Sequence, residues 1–159
     1  MSIVYLLGFL WSMPLSIWGW LLGIFLAITG QISKLDFDSN YILTWDMRDD
    51  GWFCRKFFKE KGWAGYSCGS NIFVVDTNGE RWRRTIKHET MHCYQQYIFG
   101  ILLPFLYIFN SIFIWLFMKD KHSYYDNRFE KAARKYAGQK VNIPKSEWPK
   151  GLQDRWAWW

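Results

Sequence analysis

Two long stretches of the chain carry no charge, and the polar pattern around them predicts the elements. The first, Ile3 to Thr29, reads IVYLLGFLWSMPLSIWGWLLGIFLAIT. As one helix it would reach roughly 40 Å, enough to span a bilayer. Pro14, flanked by Ser12 and Ser16, predicts a kink or break. The second, Tyr97 to Met118, reads YIFGILLPFLYIFNSIFIWLFM and is interrupted by Pro104, Asn110 and Ser111. It fits a spanning helix, a re-entrant hairpin or a pair of interfacial helices, with Pro104 and Asn110 as places for a turn.

Between the two runs the pattern shortens. SNYILTWD (39–46) and SNIFVVD (70–76) are rich in β-branched and aromatic residues and predict strands. The segment joining them is charged and punctuated by Gly, with room for further strand pairing. DTNGE (76–80) predicts a turn. A helix is expected from Glu80–Trp82 to about Phe99, stopped by Gly100, and another from about Tyr125 to Tyr136, stopped by Gly138. The tail VNIPKSEWPKGLQDRWAWW reads as an irregular strap, its Trp residues either anchored at an interface or packed over the core.

Composition then narrows the surroundings. At 159 residues the chain is one domain with one modest core. Twelve Trp and a net charge of +6 suit an anionic lipid surface. No basic block is interleaved with nucleic-acid motifs, so nucleic acid is not an expected partner. All twenty Lys and Arg follow residue 33, ten between the apolar runs and ten after the second. Keeping them all on the cytoplasmic side requires the second run to dip into the bilayer and return. No Lys or Arg precedes the first run and no A-x-A site follows it, so a cleaved signal peptide is not expected. Cys54, Cys68 and Cys93 form no CxxC pair; neither a disulfide framework nor a zinc ribbon is signalled.

The chemistry concentrates in KHETMH, residues 87 to 92. On a helix, His88 and His92 lie one turn apart on one face, and both imidazoles reach one Zn²⁺. Glu89 projects beside them, placed to act as general base: the pattern is H-E-x-x-H. A catalytic zinc needs a third protein ligand. His122 is one candidate; Glu130, in YYDNRFEKAARKYAG (124–138), is the better one, because the neighbouring alanines permit close helix approach. A plain surface pair of Glu130 with Arg134 is the competing role. Gln95 and Ile98 stand where a metzincin would carry Gly and His.

HETMHCYQQYIFGILLPFLYIF…YYDNRFEKAARKYA resembles the gluzincin arrangement HExxH…E. It is similar, more closely, to a family of small bacterial and phage zincin-like, membrane-associated metallopeptidases that read HExxHxxQ, an apolar stretch, then NPFExxA. The early LWSMPLSIWGWLLG is also similar to their N-terminal segment. The resemblance covers roughly residues 8–23 and 82–137, and departs from the pattern at Arg128, where Pro is usual. It implies His88, His92 and Glu130 as metal ligands and Glu89 as base. The implied fold is α+β: a minimal zincin-like domain over 31–159, with a short antiparallel sheet, the HExxH helix and a glutamate helix. The implied insert at 97–118 is re-entrant or interfacial, and residues 1–30 form an N-terminal membrane segment. RWRRTIK (81–87) argues for a site at the membrane surface.

The expected activity is hydrolysis of a peptide or protein substrate by a zinc-activated water, with Glu89 taking the proton. His122, Tyr124 or Tyr125 would stabilise the oxyanion. Asp126 or Asn127 would orient a ligand histidine, unless they cap the following helix. SNIFVVD would offer a strand edge to the substrate. The rival readings are a non-catalytic membrane protein whose zinc is structural, closed by Cys93 or His122, and a basic, Trp-rich binding module.

Overall fold

A computed structural model describes residues 3–75 and 79–148. The turn expected over 76–80 lies partly outside them, and so does the tail beyond Trp148. The first apolar run divides at Ser12 into α1 (Ile3–Trp11) and α2 (Met13–Ile28), bent by 75°. Pro14 sits in the first turn of α2, where its missing N–H leaves no bond unmade. One face of α2 carries Ser16, Gly19, Gly23 and Leu26, spaced by three and four residues, and this face is buried. The small residues admit the sheet closely: Gly19 lies against the Asn71 side chain and Gly23 against the Trp45 ring. Asn71 Nδ2 donates to the Ser16 carbonyl at 3.0 Å, and Ser70 N donates to Ser16 Oγ at 2.9 Å. The opposite face is apolar and exposed, with Trp18 at 70% and Ile28 at 81% of full exposure.

Four strands follow: β1 (Ile32–Phe37), β2 (Leu43–Met47), β3 (Gly65–Cys68) and β4 (Asn71–Val75). The sheet order is β1-β2-β4-β3. Both β1–β2 and β3–β4 are antiparallel, but β2 and β4 run parallel, so the sheet is mixed and not the antiparallel one expected. The reason is the crossover from 48 to 70, which holds α3 (Trp52–Cys54), a π-helical turn (Arg55–Lys59) and β3. A parallel pair needs such a connection. β4 is buried along its whole length. Phe73 and Val75 pack with Leu26, Trp45 and Met47 on one face; Ile72 and Val74 pack with Cys93 and Tyr97 on the other. The sheet therefore lies between α2 and the next helix. β4 is central and offers no edge to a substrate; β3 is the edge strand on that side.

That next helix is α4 (Glu80–Phe99), with the bounds the pattern predicts. Gly100 ends it at φ +55°, and the Trp11 indole of α1 fills the space a side chain would need. The chain turns there by 110° into α5 (Leu102–Phe117). The second apolar run therefore bends at Gly100 and not at Pro104 or Asn110, which sit inside α5. Pro104 falls in the first turn, where helices tolerate it. Finally α6 (Arg128–Tyr136) begins at Asn127, whose Oδ1 accepts from Phe129 N at 2.9 Å.

The architecture is α+β. Among the described residues no single helix is long and apolar enough to cross a membrane; the bent pairs α1–α2 and α4–α5 reach that length and composition only together. All three cysteines are free.

Candidate metal centre

His88 and His92 point from one face of α4 towards α6, which brings Glu130 between them. His88 Nε2 lies 3.3 Å from Glu130 Oε2 and His92 Nε2 lies 3.2 Å from Oε1. The two Nε2 atoms are 3.2 Å apart. Potential ligand atoms of the three residues all fall within 4.8 Å of one another, and all three residues are buried, Glu130 to 4% exposure. Ala133, fully buried one turn along α6, is the small residue that permits this approach.

The outer nitrogens fix the tautomers. Gln95 Nε2 donates to the Phe129 carbonyl at 3.0 Å, which leaves Gln95 Oε1 facing His92 Nδ1 at 2.9 Å. An amide oxygen only accepts, so His92 carries its proton on Nδ1. Gln139 Oε1 does the same for His88 Nδ1 at 3.0 Å. Gln139 is aimed there by the end of α6, where Gly138 takes φ +66° and Gln139 N returns to the Arg134 carbonyl at 2.8 Å. In the neutral imidazoles both Nε2 lone pairs then face the Glu130 carboxylate. Three electron-rich groups converge with nothing positive between them.

A cation would resolve this. Glu130 Oε2 is buried and has no hydrogen-bond partner among the described residues. Arg134 Nη2 approaches it only to 3.8 Å, held back by stacking of the guanidinium over the rings of Tyr124 and Tyr125. The orphan oxygen and the paired lone pairs fit a divalent metal ion. In its absence the groups compete for a proton. Burial pulls the His92 pKa down, but the charge and hydrogen bond of Glu130 outweigh it and raise it to about 9. Burial pushes the Glu130 carboxyl up, yet His92 and His88 hold it well below the usual range.

Glu89 lies on the neighbouring face of α4, buried against edge strand β3. Gly65 has no side chain to displace it. Burial raises its pKa; the nearby His92 and His88 oppose the rise. The carboxylate therefore sits beside the cluster without belonging to it.

The remaining sequence candidates separate. His122 is a turn residue: its Nδ1 accepts from Tyr124 N and Tyr125 N at 3.1 and 3.3 Å, and its ring packs on Trp148. It lies outside the His88, His92 and Glu130 cluster. Tyr125 supports Arg134 with its ring and its carbonyl. Tyr124 does sit near the cluster: burial, and then the charge of Glu130, push its hydroxyl pKa well above the usual value. Asp126 pairs with Lys131 at 2.6 Å and accepts from His122 N, and Asn127 caps α6. The Nδ1 atoms of His92 and His88 meet Gln95 and Gln139 instead. Tyr107, inside the apolar α5, donates to Glu130 Oε1 at 2.9 Å. Its trace in the sequence is a hydroxyl close to Asn110 and Ser111 in an otherwise greasy helix. Cys93 is buried on the sheet side of α4, in the core with Ile72 and Val74.

The chain matches no family model, no curated protein and no solved structure. Its chemistry must be argued from the centre itself: two histidines and a carboxylate facing one point, with a second carboxylate alongside.

Proposed function

We propose that the chain is a membrane-associated, zinc-dependent metallopeptidase of the zincin-like, gluzincin kind. The observation that carries this reading is the convergence of His88, His92 and Glu130 on one point, next to Glu89. Zinc held by these three residues would act as a Lewis acid and activate water at neutral pH. Glu89 accepts a proton from the attacking water and hands it to the leaving amine. Its raised pKa suits that exchange, because a more basic carboxylate takes the proton more readily. Gln95 and Gln139 hold the imidazoles in the tautomer that leaves both Nε2 atoms free to bind. Among the described residues the edge strand β3, beside Glu89, has an unpaired side along which an extended peptide can align. The partners proposed are a peptide or protein substrate and membrane lipid, with the hydrolytic part on the cytoplasmic side. The exposed apolar faces of α1, α2 and α5, and the confinement of every Lys and Arg to positions after 33, support this placement.

A second reading has an observation of its own. The three ligands are buried, which suits a zinc that only ties α4 to α6. Glu89→Gln separates the two. In the peptidase it keeps stoichiometric zinc and lowers peptide hydrolysis by about 10²-fold or more. Unchanged hydrolysis would reject Glu89 as base, and no hydrolysis by the zinc-loaded wild type across a peptide library would favour the structural role.

A further inference from the structure

The outward side of α5 has no partner within the described residues, whereas its inward side is devoted to the metal centre. The inward stripe is Leu103, Tyr107, Ser111 and Ile114, with Asn110 at its margin. The three hydrogen-bonding side chains at the middle of this helix all hold the start of α6. Tyr107 Oη donates to Glu130 Oε1 at 2.9 Å. Asn127 Nδ2 donates to Ser111 Oγ at 2.7 Å and to the Tyr107 carbonyl at 3.1 Å. Arg128 N donates to Asn110 Oδ1 at 2.9 Å. Glu130 lies within the first turn after these anchors, so the pose of α5 sets the pose of the third ligand.

The outward side is apolar and large: Phe105, Phe109, Phe113, Leu116 and Phe117 are exposed, Phe109 at 69% and Phe117 at 70%. Residues 90 to 118 contain no Asp, Glu, Lys or Arg. A patch of this extent on a water-facing helix marks a docking surface. Its border is basic. A groove along Leu106, Phe109, Phe113 and Phe117 has Arg128 at its rim. Lys119 and Lys121 follow the helix end, with Asp120 between them, all exposed. An apolar face bordered by cations is the arrangement of a helix lying in the interface of an anionic membrane.

We propose that α5 seats its outward face on an anionic phospholipid surface, and that this contact orders Glu130 through Tyr107, Asn110 and Ser111, a role that rests on reading His88, His92 and Glu130 as a metal centre. Lipid binding and metal binding are then coupled, because each favours the same pose of α5 and α6. The metal centre is weak off the membrane and tight on it.

The test uses the full chain with a solvatochromic amino acid incorporated genetically in place of Phe109, so that the three free cysteines carry no label, and in place of Lys34 on the exposed β1 as control. Vesicles of phosphatidylcholine with phosphatidylglycerol should shift the emission at 109 to the blue and leave 34 unchanged. An equal shift with phosphatidylcholine alone overturns the anionic preference. A shift that needs only higher protein concentration assigns the face to a second copy and overturns lipid as occupant. Zinc affinity, measured by competition with a chelator, should tighten on adding the anionic vesicles. Tyr107→Phe should weaken zinc about tenfold or more and remove its vesicle dependence, while the label at 109 still shifts. Phe109→Glu with Phe113→Glu, both exposed, should keep the vesicle-free zinc affinity and lose the gain. Zinc affinity that is the same with and without vesicles overturns the coupling alone. Failure to bind zinc in any condition overturns the metal centre and the coupling with it, even if the label at 109 reports lipid.

Discussion

A histidine becomes a metal ligand through the group behind it as much as through its own position. Gln95 and Gln139 each accept one Nδ1–H and so turn an Nε2 lone pair inward. Replacing either by Ala should weaken zinc by about 10- to 100-fold with the fold retained, whereas Asp126→Ala should leave zinc affinity unchanged; isothermal titration compares them. The same proximity gives the metal-free protein a distinctive pH response. His92 titrates near 9 in the fold against an ordinary 6.5, so the folded state binds the extra proton between these values. The stabilisation is full below about pH 6.5 and is lost as pH rises through about 9. Glu130, depressed, contributes above its ordinary 4.5 and is lost only as pH falls through its lower value. Thermal unfolding of the metal-free chain should therefore drop in midpoint from pH 6.5 to 9. Saturating zinc, which takes the place of the proton, should remove most of that slope; a flat metal-free profile would contradict the geometry at His92.

Helix ends decide how the centre is assembled. Asn127 caps α6 and also ties it to α5, so Asn127→Ala removes a cap worth ~1 kcal/mol and two contacts to α5. The loss should appear as lower stability in denaturant titration and as weaker zinc binding, because Glu130 is in the first turn of that helix. Gly100 joins α4 to α5 in a left-handed conformation with the Trp11 indole where a Cβ would stand. Gly100→Ala meets both obstacles and should destabilise by more than the ~1 kcal/mol typical of a simple backbone penalty. On a Trp11→Ala background the clash is gone, so adding Gly100→Ala should cost only the backbone penalty, a difference that a double-mutant cycle resolves.

The whole molecule places a sheet between α2 and α4 and then clamps α6 across the outer face of α4. A metal held by His88, His92 and Glu130 would tie α4 to α6, elements that chain connectivity separates by the entire α5 segment. At a free zinc concentration one hundred times Kd the folded state should gain roughly 2.7 kcal/mol, seen as a rise in unfolding midpoint that His92→Ala abolishes. An unshifted wild type at saturating zinc would mean that the two helices are not bridged.

Local patterning made much of this legible. The three-and-four spacing through KHETMH put both histidines on one face, Gly100 and Gly138 marked where helices stop, and small residues around Glu130 announced a close approach. The same patterning located both long uncharged runs, because charge is absent there residue by residue. Partners distant along the chain left no such mark. That β4 pairs parallel with β2 and becomes central depends on a crossover whose hand and packing arise only when α2 and α4 cover both faces. Gln139 and Tyr107 read as an ordinary turn amide and an ordinary apolar-helix phenol; their roles exist because folding brings them to His88 and Glu130. His122 is equally legible as a candidate, but only folding shows its Nδ1 accepting from backbone N–H groups of its own turn, outside the cluster. Short-range spacing is written in covalent geometry, but which buried donor meets which acceptor is settled by packing, where every polar atom removed from water must find a partner.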